Sequence, residues 1–147
     1  MNSIFIIAHA PLASALRECA LHVFPDCASG VVALDVPPNE PPEQTLAVAQ
    51  GALARLGTDS TLVLTDVFGA TPCNVAQKLI DGIHSRLVTG VNLPMVLRTV
   101  CYCQEPLDAL VSRAVVGGSQ GVMQVAPAVP QNQAKKTDDP NRRDHQQ

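Results

Sequence analysis

One stretch of the chain predicts a buried strand that leads through a turn into a helix: Leu62-Val-Leu-Thr-Asp-Val-Phe-Gly-Ala-Thr-Pro-Cys-Asn74. Its first residues, 62–64, form a short apolar run, which is typical of a strand buried on both faces. The polar residues Thr65 and Asp66 end this run. We therefore expect a central strand that carries a carboxylate at its carboxyl end.

The second half of the stretch predicts a turn followed by a helix with free N–H groups at its start. Gly69 gives the backbone the freedom to turn. Thr71 and Pro72 are typical of a helix start, with the Thr71 hydroxyl as N-cap and Pro72 at the first helical position, where its missing N–H is no loss. The N–H groups of such a first turn are available to bind an anion.

The opening of the chain, Ile4-Phe-Ile-Ile-Ala-His9, predicts a second apolar strand that also ends abruptly in a titratable residue. In open parallel sheets, functional sites lie outside the carboxyl ends of the strands. Two parallel strands would therefore place His9 and Asp66 at the same edge of the sheet, together with the turn at 90–95.

Strand and helix patterns alternate four times along the chain, and this alternation predicts the fold class. The predicted strands are 3–8, 30–36, 61–66 and 85–90, and the predicted helices are 11–24, 43–56, 72–80, one that begins near 94, and 107–116. Such alternation predicts an α/β doubly wound domain with a mainly parallel sheet and helices on both faces. Gly117 and Gly118 are expected to end the last helix, and 121–125 is expected to form a short C-terminal edge strand.

Composition changes sharply after the predicted edge strand. Residues 126–147 are rich in Pro, Gln, Asn, Lys, Asp and Arg and hold almost no large apolar residues. A segment of this kind cannot bury enough apolar surface to offset its conformational entropy. We therefore expect a folded domain over 1–125 and a disordered polar tail over 126–147.

Charge and aromatic content exclude one large class of function. The net charge is -3 and aromatic residues make up 3% of the chain, which disfavours nucleic-acid binding. No apolar run approaches the roughly 20 residues of a membrane span, and the start lacks the pattern of a secretory signal. We expect a cytoplasmic protein.

The five cysteines are an odd number in a domain of ordinary size, which disfavours a disulfide framework. We expect reduced thiols that mostly pack in the core. Cys101 and Cys103 are separated by one residue and have no second pair, which does not match a zinc or thioredoxin motif. Neither a metal nor a cofactor is expected.

The residue types at the predicted sheet edge suit phosphoryl transfer to nitrogen. A histidine at a strand end is a nucleophile near neutral pH, and a carboxylate on one ring nitrogen fixes the tautomer and raises the basicity of the other. Backbone N–H groups and the Thr71 hydroxyl would hold the transferred group. Ala10 has no capping oxygen, so the N–H groups of Leu12 and Ala13 are expected to be open to the same phosphate.

Three segments resemble the mannose-type enzyme IIA of the bacterial sugar phosphotransferase system. They are Phe5-Ile-Ile-Ala-His-Ala10, Thr65-Asp-Val-Phe-Gly-Ala-Thr-Pro-Cys-Asn74 and Gly90-Val-Asn-Leu-Pro-Met95. Their order and spacing are similar over about residues 1–125. The second and third segments are specific to the family, whereas the first departs from it, because Ala8 and Ala10 replace the hydroxyl residue and the glycine that usually flank the histidine.

The resemblance implies a phosphorelay with no cofactor or metal of its own. His9 would accept a phosphoryl group from the histidine phosphocarrier protein and pass it to an enzyme IIB on a separate chain for sugar uptake. Asp66 would orient the histidine, and Thr71 would contact the phosphate. Contacts to phosphate or partner would also come from the turns that carry the remaining motif residues, which are Ala10, Gly69, Pro72, Asn74, Asn92 and Pro94.

Quaternary structure and two alternative functions remain open at this stage. The resemblance implies a homodimer in which the edge strand 121–125 is exchanged between subunits. Asn92 and Pro94 either contact phosphate or partner or only shape their turn. The chain is alternatively a regulatory phosphoacceptor that docks on a regulated protein without sugar transport. A hydrolase that uses His9 with Asp66 is a second alternative, although no Ser or Cys nucleophile lies in a recognisable elbow.

Overall fold

The computed structural model describes residues 1–129, which form a single parallel sheet with helices on both faces. The strands are β1 (Ser3–His9), β2 (Val31–Val36), β3 (Thr61–Thr65) and β4 (Ser85–Thr89). The α-helices are α1 (Leu12–Val23), α2 (Pro42–Leu56), α3 (Thr71–Leu79), α4 (Leu93–Cys101) and α5 (Leu107–Gln120). A short 3-10 helix, Pro25–Gly30, precedes β2.

The strand order is β2-β1-β3-β4, and every pairing is parallel. In the register between β1 and β3, Ile7 lies opposite Thr65. His9 comes two residues after Ile7, and Asp66 comes directly after Thr65. Both residues therefore lie at the carboxyl edge of the two central strands. The predicted α/β domain with a parallel sheet is confirmed.

Alternate residues of the central strands face two separate hydrophobic clusters, as the period of a strand requires. Ile4 and Ile6 of β1 pack in the cluster formed with α1, α4 and α5. Phe5 and Ile7 pack in the cluster formed with α2 and α3. Burial on both faces explains why the β1 and β3 sequences are almost entirely apolar, and it fixes the direction in which each strand presents its final residue.

The predicted end of the last helix at Gly117 and Gly118 is wrong, because α5 continues to Gln120. Both glycines are buried in the packing of α5 on α4. A Cβ added at Gly117 would lie 2.9 Å from Cβ of Arg98, and one at Gly118 would lie 2.7 Å from Cε of Met95. These glycines let two helices approach closely instead of ending one.

The expected edge strand 121–125 is not formed within the single chain, where residues 122–129 have no regular secondary structure. Val122, Met123 and Val125 are all exposed. A strand needs the free edge of a sheet to complete its hydrogen bonds, and in this chain the segment pairs with no such edge. Of the predicted tail 126–147, residues 130–147 lie outside the described part.

The five cysteines are free thiols, but the expectation that they mostly pack in the core is wrong. Cys73 is buried, whereas Cys19 and Cys101 are exposed and Cys27 and Cys103 are half-buried. Helix α1 turns Cys19 towards solvent because its buried face is formed by small and apolar residues four apart, such as Leu16 and Ala20. Within residues 1–129, no helix is both long and apolar enough to cross a membrane.

Candidate functional site

His9 and Asp66 meet at the carboxyl edge of the sheet through two hydrogen bonds. Nδ1 of His9 lies 2.7 Å from Oδ2 of Asp66, and the backbone N–H of His9 donates to the same oxygen at 3.0 Å. The His9 side chain is 50% exposed, whereas that of Asp66 is 9% exposed. The carboxylate is thus enclosed, and the imidazole reaches from it towards solvent.

The carboxylate determines which nitrogen of the imidazole is reactive. An ionised carboxylate only accepts hydrogen bonds, so in the neutral ring Nδ1 is the nitrogen that carries the proton. Nε2 then holds a free lone pair in the plane of an exposed ring. The predicted pairing of His9 with Asp66 is present, and it leaves Nε2 as the nitrogen with a free lone pair in a half-exposed side chain.

Asp66 is held in its ionised form by its hydrogen bonds. Burial by itself would raise the pKa of this carboxyl group, but the bonds from the His9 side chain, the His9 backbone and the Val67 backbone outweigh burial and lower the pKa below its usual value. The Val67 N–H donates to Oδ1 at 3.0 Å. The carboxylate is therefore charged throughout the neutral range and can stabilise positive charge on the ring.

The turn after β3 forms as expected, but the expectation that Thr71 is the N-cap of α3 is wrong. Gly69 has φ of +86°, the left-handed region that suits glycine. Ala70 is the N-cap residue, Thr71 is the first helical residue, and the N-cap side chain makes no capping bond. Pro72 is buried at the second helical position. Because the helix begins one residue early, the Thr71 hydroxyl is released from capping.

Asn74 stabilises the same turn from within the helix. Its Nδ2 group donates to the backbone oxygen of Gly69 at 3.3 Å, and its backbone N–H donates to the oxygen of Ala70 at 2.9 Å. The side chain is exposed and faces the turn. Asn74 thus fixes the turn that separates Asp66 from α3, and direct contact of Asn74 with a phosphate stays a prediction.

The turn at 90–95 lies against the carboxyl end of β3, as predicted. The N–H of Gly90 donates to the backbone oxygen of Asp66 at 3.1 Å, and that of Val91 donates to the backbone oxygen of Thr65 at 3.0 Å. Asn92 caps α4 by accepting from the Met95 N–H at 2.9 Å. These bonds hold the turn beside Asp66.

Both the oxygen and the nitrogen of the Asn92 side-chain amide make hydrogen bonds within the fold. Besides the capping bond of its oxygen, its Nδ2 group donates to the Gly118 oxygen in α5 at 3.0 Å. Pro94 is exposed beside it at the start of α4. The structure thus gives Asn92 an architectural function, and a partner contact by Pro94 stays a prediction.

Two features near the carboxyl edge of the sheet are not predicted by the sequence patterns above. Val67 and Phe68 are 55% and 74% exposed in the turn after β3. Their signal is a pair of large apolar residues in a segment that is predicted to be a loop. Such residues are costly to expose and are typical of contact surfaces when they lie next to a reactive group.

The second feature is the carboxylate of Asp35, near the end of β2. Its Oδ1 accepts from the backbone N–H of Ser14 at 3.0 Å, and its Oδ2 accepts from the Ser14 hydroxyl. Ala10 donates its N–H to the Val36 oxygen at 3.0 Å, directly after His9. The sequence signal was a charged residue inside an apolar strand. An open N–H at Leu12 or Ala13 stays a prediction.

The cysteines of the Cys101-Tyr-Cys103 segment lie at the far end of α4 from Asn92. Burial raises the pKa of the Cys103 thiol above its usual value, and the nearby Cys27 raises it further. In the described part of the chain, no group of three or more His, Cys, Asp and Glu residues is arranged to hold a metal ion. These thiols are separate from the His9 site.

The comparisons with known proteins converge on one family. A family model described as "PTS system fructose IIA component" matches residues 3–115. The chain is 33% identical over 93 residues to the "PTS system mannose-specific EIIAB component" of Escherichia coli K12, and equally to that of Shigella flexneri. Each match covers 60% of this chain and 29% of the relative, so the chain spans less than a third of these relatives.

Solved structures show the same fold at lower identity. The mannose/sorbose-specific IIA subunit from Enterococcus faecalis superposes with a TM-score of 0.79 and 23% identity, over 88% of this chain and 98% of that one. Component EIIA from Streptococcus agalactiae gives a TM-score of 0.70 and 24% identity, over 84% and 97%. These similarities establish the fold.

Proposed function

The chain belongs to the family of mannose-type enzyme IIA components of the sugar phosphotransferase system, and we propose that it carries a phosphoryl group transiently on Nε2 of His9. The observation that supports this assignment is the 2.7 Å bond between Nδ1 of His9 and Asp66. That bond places the proton on Nδ1 and leaves a free lone pair on Nε2 of a side chain that is 50% exposed, so a protein donor can reach the ring.

The chemical step exchanges one nitrogen–phosphorus bond for another. Nε2 of His9 attacks the phosphorus of a phosphohistidine on the histidine phosphocarrier protein, and the electron pair of the broken bond returns to the imidazole of the donor. The ring of His9 becomes positively charged while Nδ1 keeps its proton. The ionised, enclosed Asp66 stabilises that charge.

Groups of the turn after β3 hold the oxygens of the phosphoryl group in this proposal. The Thr71 hydroxyl is available because the α3 N-cap is Ala70 and not Thr71. The positive end of the α3 dipole lies at the same turn. Gly69 and Pro72 shape the turn, and Asn74 fixes it through its bond to the Gly69 oxygen.

The partners are the histidine phosphocarrier protein as donor and an enzyme IIB as acceptor. Exposed apolar surface at the carboxyl edge of the sheet comes from Val67 and Phe68 in the turn after β3 and from Leu12 at the start of α1, which is 37% exposed. A transient docking surface needs such apolar anchors around a reactive centre. We place the relay in the cytoplasm, peripheral to a sugar permease at most.

A homodimer with exchanged C-terminal strands accounts for the exposed segment 121–125. Val122, Met123 and Val125 present apolar side chains to solvent in the single chain. Strand β4 is the last strand in the sheet order and leaves one edge free. Pairing of this segment with β4 of a second copy would satisfy both.

A pulse-chase experiment tests the relay. The chain is labelled from phosphoenolpyruvate through enzyme I and the phosphocarrier, separated from them, and mixed with a mannose-type enzyme IIB domain. We expect the label to move to the enzyme IIB domain. A chain that accepts no label contradicts the proposed function, and a chain that accepts label but never releases it to an enzyme IIB favours the regulatory alternative.

A further inference from the structure

Asn92 caps two helices with one side chain. Its Oδ1 accepts from the backbone N–H of Met95 at 2.9 Å and so caps the start of α4. Its Nδ2 donates to the backbone oxygen of Gly118 at 3.0 Å. The last four carbonyl groups of a helix have no partner within it, and Gly118 lies in the last turn of α5. A single amide therefore joins the first turn of α4 to the last turn of α5.

The two helix ends that Asn92 joins are closely packed. A Cβ added at Gly118 would lie 3.3 Å from Cβ of Met95, and one added at Gly121 would lie 2.6 Å from Cβ of Pro94. Closely packed groups transmit small displacements, because there are few voids between them that could absorb the movement. The position of the turn that leads into α4 is therefore set by the end of α5.

The same turn holds the main chain of Asp66. Asp66 lies one residue beyond the end of β3, and its backbone oxygen accepts from the N–H of Gly90 at 3.1 Å. The backbone oxygen of Thr65, the last residue of β3, accepts from the N–H of Val91 at 3.0 Å. Both donors directly precede Asn92. A chain of bonded groups thus runs from α5 through Asn92 and its turn to the residue that binds Nδ1 of His9.

We propose that Asn92 is a positioning residue of the phosphorelay, which fixes the turn at 90–92 and through this turn holds Asp66 at Nδ1 of His9. This inference rests on the proposed function. Both polar atoms of the Asn92 amide are bonded within the fold, so the residue acts through Asp66. Movement of Asp66 away from the ring would weaken the 2.7 Å bond that keeps the proton on Nδ1. A ring that carries its proton on Nε2 has no lone pair there for attack on phosphorus.

Asn92→Ser tests the link to α5, because serine keeps an oxygen that can cap α4 but lacks the amide group that reaches Gly118. Rapid-quench phosphorylation at a series of concentrations of the phosphorylated phosphocarrier gives kcat and KM. We expect kcat to fall about tenfold, because a misplaced catalytic group slows the chemical step, and KM to stay at the wild-type value. A raised KM with a wild-type kcat would overturn the inference, because it would place Asn92 in contact with the partner.

Asn2→Ser is the matched control, because Asn2 makes comparable bonds at the opposite, amino edge of the sheet. Its Nδ2 donates to the backbone oxygens of Cys103 at 2.9 Å and Glu105 at 2.6 Å, in the segment between α4 and α5. Loss of these bonds should lower Tm and leave kcat unchanged. Equal kcat values for Asn92→Ser and Asn2→Ser would overturn the inference, because Asn92 would then have no specific effect on the chemical step.

The tautomer of His9 gives a readout that a general loss of stability would not change. Long-range proton–nitrogen NMR correlations of isotope-labelled histidine distinguish a proton on Nδ1 from one on Nε2 at a pH where the ring is neutral. The His9 signal is assigned by its loss in His9→Ala. We expect the proton on Nδ1 in the wild type and in Asn2→Ser, and a mixture of both tautomers in Asn92→Ser. A wild-type tautomer in Asn92→Ser would overturn the inference.

Asn92→Asp decides the matter if Asn92→Ser fails to fold. It keeps the shape of the side chain and the oxygen that caps α4, but its carboxylate has no N–H for the Gly118 oxygen. We expect the same fall in kcat and the same mixture of tautomers, and wild-type values of both would overturn the inference. A wild-type chain that accepts no phosphoryl group would overturn the proposed function and this inference together, whereas a labelled wild type with unresponsive variants overturns the inference alone.

Discussion

The two nitrogens of the His9 ring have different surroundings, and the proposed chemistry depends on that difference. Nδ1 is bonded to a carboxylate that is 9% exposed, whereas Nε2 is not part of this bond and belongs to a side chain that is 50% exposed. A carboxylate at Nδ1 keeps the proton there and leaves Nε2 as the nucleophile. Removal of the charge of Asp66 should therefore impair chemistry more than docking.

Asp66→Asn tests this separation of chemistry from docking. An amide can donate to Nδ1 and so favour the tautomer that has its proton on Nε2. A protonated Nε2 has no free lone pair and is not nucleophilic. We expect the rate of phosphorylation in rapid-quench experiments to fall about 100-fold or more, while the Kd for the unphosphorylated phosphocarrier, measured by calorimetry, stays the same. An unchanged rate would refute the proposed action of the carboxylate.

The same variant has a pH signature in stability. The pKa of Asp66 in the folded protein lies below the ordinary value of 3.8, so ionised Asp66 stabilises the fold at pH values above that ordinary value. The free energy of unfolding of the wild type should exceed that of Asp66→Asn by about 1 kcal/mol, and this difference should be constant at neutral pH. It should decline as the pH falls below the ordinary value and through the folded pKa. Thermal melts at several pH values measure this difference in stability, and a difference that grows at acid pH would contradict the prediction.

Substitution of Phe68 is expected to weaken docking of the phosphocarrier without changing the stability of the protein. Its side chain is 74% exposed, so the fold gains little from it. We expect Phe68→Ala to raise the KM for the phosphocarrier about tenfold, the cost of roughly 1.4 kcal/mol of lost contact, with kcat and Tm unchanged. Ile83→Ala is the control, because Ile83 is 73% exposed in the turn before β4, at the opposite edge of the sheet. Equal KM values for both variants would contradict docking at Phe68.

At the scale of elements, the packing of α5 on α4 depends on glycines inside a helix. A Cβ at Gly117 would meet both Cβ and Cγ of Arg98 at 2.9 Å. Gly51, within α2, has no heavy atom within 4 Å of the same added Cβ. The identical substitution therefore meets a crowded interface in one helix and open space in the other.

We expect opposite effects of alanine at these two positions. Gly51→Ala should stabilise the protein by about 0.5–1 kcal/mol through helix propensity. Gly117→Ala should destabilise it by about 1–3 kcal/mol, because overpacking outweighs the same propensity gain. Chemical denaturation gives both values, and a stabilised Gly117→Ala variant would contradict the close packing of the two helices.

The elements that the sequence predicts best are those whose signals are local. The β1 and β3 runs are apolar and end in polar residues, and the structure places them side by side at the centre of the sheet. The end of α5 was not predictable in this way, because glycine normally favours helix termination. Gly117 instead lies inside the helix, where the absence of a Cβ leaves room for Arg98 of α4.

The candidate site shows the same limit. The meeting of His9 and Asp66 follows from parallel strands that end at one edge, so it could be predicted from pattern. The bond between Asp35 and Ser14 joins a strand to a helix across 21 positions of sequence, and no local sequence pattern predicts it. The one-residue shift of the α3 N-cap from Thr71 to Ala70 is of the size that boundary predictions commonly miss.

At the scale of the whole molecule, the proposed homodimer depends on the pairing of the exposed segment 121–125 with a second copy. We expect a dimer in light scattering, with Met123→Pro converting it to a monomer, because proline cannot donate to a strand ladder. Val129→Pro is the matched control, since Val129 is 67% exposed and lies outside the proposed strand. A monomeric wild type, or a Met123→Pro variant that remains dimeric, would contradict strand exchange.

Transfer of a phosphoryl group to His9 changes the mass of the intact protein, and that mass can be measured. The protein is incubated with phosphoenolpyruvate, enzyme I and the histidine phosphocarrier, and its intact mass is recorded beside those of His9→Ala and His22→Ala, the second being an exposed histidine of α1. We expect one acid-labile phosphoryl group on wild type and His22→Ala, and none on His9→Ala. A folded His9→Ala variant that gains the group, or a wild type that does not, would contradict it.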